Sequence, residues 1–390
     1  MCGILVGCVR AVPLSTTGPE GGRAPTEPVT DCGPRYNASP RRPAADPDPD
    51  VQELTTACGE AEFRLQIIAK GLAEQRTEAT SAVDVDAMNG TLRALGAPYV
   101  WPHAWLFSGN AGDVANAKAR MLRWLATFAD GGSRRCGVAM LHEPDGSIRV
   151  GAVAVDVLAD LESMPIKVRI GEWLDVRATL LVPASEVKFV VLGPHGPPHP
   201  VPTSFADGRA RARFNADQPG PWLIQLLAAV EGGPRPVLEA IVYAGVTPPR
   251  TASVPKAPGE DAQQAGDPRA ALYAMVNAAR HSERLAPFGQ DPELETLAQA
   301  HAEAMRRAHK TAHDAGDGDL NQRLEQAGLA LSAGENVAHA GSAQLAQRAL
   351  WASPSHRENL LFPSFNVVGI GVVSDPDGTS WVCQIFGTRQ

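Results

Sequence analysis

GVAMLHEPDGSIRVGAVAVDV, beginning at Gly137, and GIGVVSDPDGTSWVCQIF, beginning at Gly369, are built alike. Each reads as an apolar strand, a Pro-Asp-Gly turn and a second apolar strand. Pro presets φ in the turn and Gly accepts a positive φ, so both stretches are committed to antiparallel hairpins. With Gly137 set on Gly369, Pro144-Asp145-Gly146 aligns with Pro376-Asp377-Gly378 without a gap. Shared turn chemistry alone would give a PDG in both, but glycine position and strand length match as well. The chain is therefore expected to repeat one α+β unit, with 48–158 as its first copy and 268–390 as its second.

Between the copies, residues 165–243 change character. PIKVRI, WLDVRATLLV, VKFVVL, RARARF, PWLIQLLAA and VLEAIVY are short alternating or β-branched runs, separated by Gly-Pro clusters such as GPHGPPHPVP. That pattern predicts an antiparallel, immunoglobulin-like β-sandwich over 159–246. Trp173 and Trp222 are expected as core anchors. His195 and His199 fall in a Pro-rich loop and read as solvated. A Pro/Ala/Gly linker, 247–267, follows. The fold class expected is thus multidomain α+β, as 390 residues allow.

The chain carries a net charge of -8 and no Lys/Arg-rich stripe, which argues against a nucleic-acid partner. No apolar run approaches the roughly 20 residues that span a bilayer. Leu5-Val6-Gly7-Cys8 resembles a lipobox, with Cys8 as the acylated residue, but only Met1-Cys2-Gly3-Ile4 precedes it. A true start further upstream is expected, since a signal needs a basic region and about 7–15 apolar residues. Residues 1–47 then read as a truncated lipoprotein-type leader and a solvated, Pro/Gly/Thr/Asp-rich tether. The expectation is an extracellular or cell-envelope protein that meets the membrane only through a lipid anchor. Six cysteines show no CxxC or Cys/His metal spacing. Cys58 and Cys136 are placed to bridge within one domain, and Cys383 reads as a buried small hydrophobe.

Residues 51–76 carry apolar positions at helical spacing and predict one long amphipathic helix; 113–129 predict another. In the last third, Asp267-Pro268 and Asp291-Pro292 are helix starts. Ser353-Pro354 and Ser355-x-x-Glu358 are competing starts for a short helix ahead of the hairpin. Helices packed over an antiparallel sheet follow from this order. Six of ten histidines fall here, at 281, 301, 309, 313, 339 and 356. His301 sits on an apolar stripe and reads as a buried, hydrogen-bonded imidazole. His309 and His313 share a helix face at i, i+4. Glu335, in a Gly334-Glu335-Asn336 turn, and His356 bracket one helix. Either they pin it, Glu335 accepting from loop amides and imidazolium, or they converge with a histidine from 309–313 into a set fit for zinc.

The runs LYAMVNAAR, DPELETLAQAHAEAM, RLEQAG, GENVA, ALWASPSHRENLL and GIGVV…WVCQIFG stand in the order seen in the CAP superfamily, the cysteine-rich secretory and pathogenesis-related proteins. The last third of the chain resembles its bacterial branch. The resemblance implies an α-β-α sandwich with a cleft lined by His313, Glu335 and His356, with His309 as the alternative first residue. It also implies a divalent cation, zinc or magnesium, at those residues in some members. The second acidic residue usual in animal and plant members is Pro354 here, and their dense disulfides are missing.

Three functions remain open at this level, the blandest a purely structural, stable envelope component. A second is a surface-tethered binding module for a lipid, a peptide, a cell-wall component or another small ligand. The alternative is a hydrolase in which His313, Glu335 and His356 hold a metal-bound water. Ser353 and Ser355 beside His356 make a poor nucleophile pair, since neighbours on one turn point apart and no group orients the base.

Overall fold

The computed structural model describes residues 35–36, 48–74, 85–128, 131–231, 233–249, 254–262 and 266–389. Cys8 and nearly all of the expected leader and tether lie outside the described residues, as does part of 247–267. Within 1–47, β1 (Arg35–Tyr36) is a strand rather than solvated chain. Tyr36 is fully buried, and its hydroxyl donates to Ile241 O while accepting from Ile241 N.

The N-terminal unit runs α1 (Pro49–Cys58), β2 (Glu60–Ala61), α2 (Phe63–Glu74), α3 (Val85–Ala94), β3 (His103–Asn110), α4 (Val114–Leu125), β4 (Ser133–His142) and β5 (Ser147–Val157). The single helix expected over 51–76 is two. Helical periodicity continues through the break, but β2 pairs in parallel with Arg135 and Cys136 of β4, and a Cys58–Cys136 disulfide pins the end of α1 there. Sheet pairing overrides local pattern at that point. The sheet order is β2-β4-β5-β3. Leu54, Met121 and Ile148 belong to the core on one face; Leu65, Leu92 and Val153 belong to the core on the other.

The central segment has two sheets sharing one core. Its strands are β6 (Ala159–Leu161), β7 (Met164–Pro165), β8 (Lys167–Val168), β9 (Glu172–Leu180), β10 (Ser185–Leu192), β11 (His199–Val201), β12 (Thr203–Ala206), β13 (Arg209–Ala216), β14 (Gly220–Val230) and β15 (Gly233–Ala244). One sheet is β12-β13-β9-β6 and the other β11-β10-β14-β15-β8, while β7 pairs with β1. Trp222 is buried against Phe214. Trp173 is not the anchor the sequence suggested: it is 57% exposed, under the Arg213 guanidinium. Side chains alternate along a strand, and β9 commits Leu174, Val176 and Ala178 to the core, so Trp173 faces out.

The C-terminal unit runs α5 (Pro268–Ser282), β16 (Gly289–Gln290), α6 (Pro292–Ala308), α7 (Leu320–Gln326), β17 (Ala333–Ala340), α8 (Ala343–Ala352), α9 (Pro354–Leu361), β18 (Val367–Ser374) and β19 (Ser380–Gly387). Asp267 and Asp291 cap α5 and α6 by accepting from backbone amides one turn in. The sheet order is β16-β18-β19-β17. Leu272, Val276, Ala346 and Leu360 pack with Val382 and Phe386 on one face; Leu294, Met305 and Leu324 pack with Cys383 and Ile385 on the other. Alternation along β19 thus feeds both faces of an α-β-α layering.

Strand registers of the two outer units coincide. Gly137 pairs with Val153, and Val153 with Ala104; Gly369 pairs with Ile385, and Ile385 with Glu335. β2 runs parallel to β4 as β16 does to β18. A Cβ on Gly137 would lie 2.0 Å from Gln66 N, and one on Gly369 2.1 Å from Leu294 C, so in each unit a helix backbone rests on a hairpin glycine.

Candidate functional site

Glu335 is on a strand, not in a turn. Its place opposite Ile385 in the β17–β19 ladder buries it to 6% exposure on the face covered by α6 and α7. A carboxylate there needs partners, and it has them. His313, in the loop between α6 and α7, places Nδ1 2.7 Å from Glu335 Oε1. Arg323, on α7, donates from Nη2 to Glu335 Oε2 at 2.7 Å and to the His313 carbonyl at 3.1 Å. The Cys383 thiol donates weakly to the same Oε2 at 3.5 Å. Burial by itself would raise the Glu335 pKa, but the bond from His313 and the charges of His313, Arg323 and His301 hold it below the usual range.

His356 sits in the first turns of α9. Desolvation, then the nearby charge of His313, pushes its imidazole down to about 3, so it is neutral at physiological pH. Its carbonyl accepts from Asn336 Nδ2, and Asn359 Nδ2 reaches both Glu335 O and Asn336 Oδ1. These two asparagines tie the strand bearing Glu335 to the helix bearing His356. Their backbone-directed roles were not legible, although both lie inside the GENVA and SPSHRENLL runs. Arg323 was likewise missed within RLEQAG.

His309 takes the left-handed C-cap of α6 and is exposed, so it and His313 do not share a helix face. His301 is fully buried between Asp317, 2.8 Å from Nδ1, and the Ala312 carbonyl, 3.0 Å from Nε2. Of the two starts foreseen for α9, Ser353-Pro354 forms and the Ser355–Glu358 capping box does not. Ser353 is the N-cap without a side-chain bond, and Glu358 lies 3.8 Å from Lys188 Nζ. Gln225, from β14, supplies the acceptor instead: its Oε1 takes the Ser355 amide at 3.0 Å, and its Nε2 donates to Ser353 Oγ.

A divalent cation would need converging free donors. Both Glu335 oxygens are committed, and the Arg323 guanidinium already supplies the positive charge beside Oε2. Among the described residues no group of His, Cys, Asp or Glu gathers so as to hold an ion. The donors present do not fit a three-ligand metal set.

With this geometry in place, comparison with known proteins is specific. Residues 273–385 match the cysteine-rich secretory protein family, CAP. They form a CAP domain. No curated protein matches the chain. Among solved structures, an outer surface protein of Borrelia burgdorferi is similar at 20% identity over 33% of this chain and 97% of its own, with a TM-score of 0.31. An extracellular protein of Bacillus anthracis containing an SCP domain matches at 16% identity over 60% of this chain and 86% of its own, TM-score 0.29. A cysteine-rich secretory protein of Staphylococcus aureus matches at 15% over the same shares, TM-score 0.27. At such scores these likenesses do not bear on what this chain does. The elements placing His313, Glu335 and His356 all fall within the CAP domain.

Proposed function

We propose that the chain is a binding module working outside the cytoplasm, its CAP domain presenting His313, Glu335 and His356 to a small ligand, a lipid or a cell-envelope component. The observation that carries this reading is the engagement of both Glu335 oxygens by His313 and Arg323. A general base or metal-water ligand acts through a lone pair open to substrate or water, and this carboxylate is only 6% exposed. Here the carboxylate is a fixed acceptor that orients one imidazole, and Nε2 of His313 is left to meet a ligand. The Cys58–Cys136 bridge supports an oxidising compartment. Anchoring through Cys8 belongs to the same proposal.

The other segments read as support for this site. The order β6-β9-β13-β12 facing β11-β10-β14-β15-β8 favours an immunoglobulin-like sandwich over 159–246. Matching element order and register favour 48–158 as a degenerate CAP-like copy. In that copy Ala104 stands at the register position of Glu335, and among the described residues no helix corresponds to α9. The copy thus keeps the layers without the chemistry.

Co-sedimentation with purified cell-wall sacculi and with phosphatidylglycerol vesicles tests the module. The native chain is expected to be retained by one of them, and a His313→Ala/His356→Ala double variant to be retained less. Equal retention would remove the cleft from the reading. Equilibrium dialysis against zinc checks the same site, and stoichiometric uptake lost in the double variant would reinstate a metal centre. Cell fractionation that finds the unacylated protein in the cytosol would end the export proposal.

A further inference from the structure

Strand alternation turns the RARARF run into a row of cations. Along β13, Ala210, Ala212 and Phe214 enter the core, so Arg209, Arg211 and Arg213 all stand exposed on the outer face of the sheet. Successive members of such a row are roughly 7 Å apart. On β9 the same face shows Trp173, Asp175 and Arg177. The register sets Arg211 directly against Arg177, and Arg213 against Asp175. On the far side β12 offers only Ser204 and Ala206 opposite Arg211 and Arg209, too small to cover them.

Like charges placed opposite each other destabilise a sheet. Asp175 offsets one such pair, its Oδ2 accepting from Arg177 at 2.8 Å and from Arg211 at 2.7 Å. Glu162, just past β6, is 3.9 Å from Arg177, and Asp160 at that edge is taken by Arg135 of the N-terminal unit. Arg209 and Arg213 have no carboxylate partner among the described residues. This cationic excess stands on a chain whose net charge is -8. Beside it, Trp173 is the most exposed of the large apolar side chains described, at 57%. The Arg213 guanidinium lies over the indole, 5.0 Å from its centroid, so a charged plate and an apolar one share one place.

The charge calls for an anionic partner and the indole for an apolar ring. Guanidiniums match carboxylates through paired N–H donors, and an exposed indole offers the C–H face of a sugar ring a flat surface. A phosphodiester polymer without rings would leave Trp173 idle. Single-stranded nucleic acid stacks its bases on several aromatics along a groove, whereas this is an open sheet face with one indole among the described residues. We propose that the outer face of β12-β13-β9 binds an acidic polysaccharide, a polymer of uronic-acid sugars, with carboxylates on Arg209, Arg211 and Arg213 and a sugar ring against Trp173. None of these residues belongs to the site of His313, Glu335 and His356, so the proposal stands apart from the cleft reading.

Calorimetric titration of the full chain with oligogalacturonate tests it, with dextran, polyglutamate and oligo(dT) as comparison polymers. Oligogalacturonate is expected to bind saturably and to weaken as salt is raised. Dextran has the rings without the charge and should not bind. Polyglutamate has the charge without the rings and should bind about tenfold more weakly. Trp173→Ala and the Arg209→Ala/Arg213→Ala double variant should each weaken oligogalacturonate by about tenfold. All three side chains are exposed, so melting temperatures should not change. Should the double variant melt early, Trp173→Ala carries the test. No saturation, binding of dextran, equal binding of polyglutamate, a preference for oligo(dT), or undiminished binding in Trp173→Ala would each overturn the proposal. His313→Ala/His356→Ala should leave oligogalacturonate binding unchanged, so failure of the cleft reading and failure of this one are told apart; a loss there would move the glycan to the cleft and overturn the sheet-face site.

Discussion

Arg323 decides what kind of group Glu335 is. Both are nearly buried, at 5% and 6% exposure, and they bond to each other at 2.7 Å, beside the His313 bond that favours the Glu335 carboxylate most. Arg323→Ala should destabilise the protein by about 3 kcal/mol, because it leaves a buried carboxylate with only an imidazole and a thiol. Urea unfolding measures this, and adding Glu335→Gln to the variant should recover part of the loss. Cys383 makes a second prediction at this scale. Burial, then the charge of Glu335, raises its thiol well above the ordinary range, so it should resist iodoacetamide in the native protein and react on denaturation. Peptide mapping reads the outcome, and rapid native labelling would contradict the placement. Single residues were legible where their burial followed from a stripe. His301 is the buried, hydrogen-bonded imidazole its position implied, and Cys383 the buried thiol. Trp173 was misread because size suggested an anchor while strand alternation decided its face.

At the scale of elements, local chemistry specified the hairpins and caps. Both PDG turns join the strands they were expected to join, β4 to β5 and β18 to β19. The glycines before them are required by approach rather than by the turn. Gly369→Ala would drive a Cβ into the backbone of α6, and a cost of about 1–3 kcal/mol is expected from such overpacking. Thermal melting checks it, with Gly378→Asn in the open turn as the milder comparison. Asp291, which caps α6, gives a pH prediction. Burial would raise its carboxyl, but Arg389 and the cap amides hold it below the ordinary 3.8. A depressed carboxylate stabilises the fold above its unfolded value, and that contribution is lost as pH falls through the folded one. The native protein should therefore exceed Asp291→Asn in melting temperature by a margin that is full above pH 4 and closes in stronger acid. What could not be read at this scale was β17 and the break between α1 and α2. Both depend on a distant strand, to which helical spacing is blind.

Across the whole molecule, the site is held by more than its own domain. Gln225 is fully buried; it donates to Glu239 Oε1 at 2.6 Å and serves the start of α9, while Glu239 meets Arg93 and its amide donates to the Pro98 carbonyl. This seam runs from α3 through the central sheets to the helix of His356. Gln225→Ala should uncouple the units, so that a single calorimetric transition broadens or splits, and His356 should become more reactive to diethylpyrocarbonate. One unchanged transition would show that apolar contacts suffice to join them. Hairpins, helix caps, alternating strands and the CAP-type runs were all present in the order of residues, because each rests on spacings of a few positions. The pairing of Glu335 with Arg323 and the gathering of Asn336 and Asn359 rest on groups brought together from distant parts of the chain. Those contacts arise from packing layers against one another, and no local spacing encodes how separate layers dock.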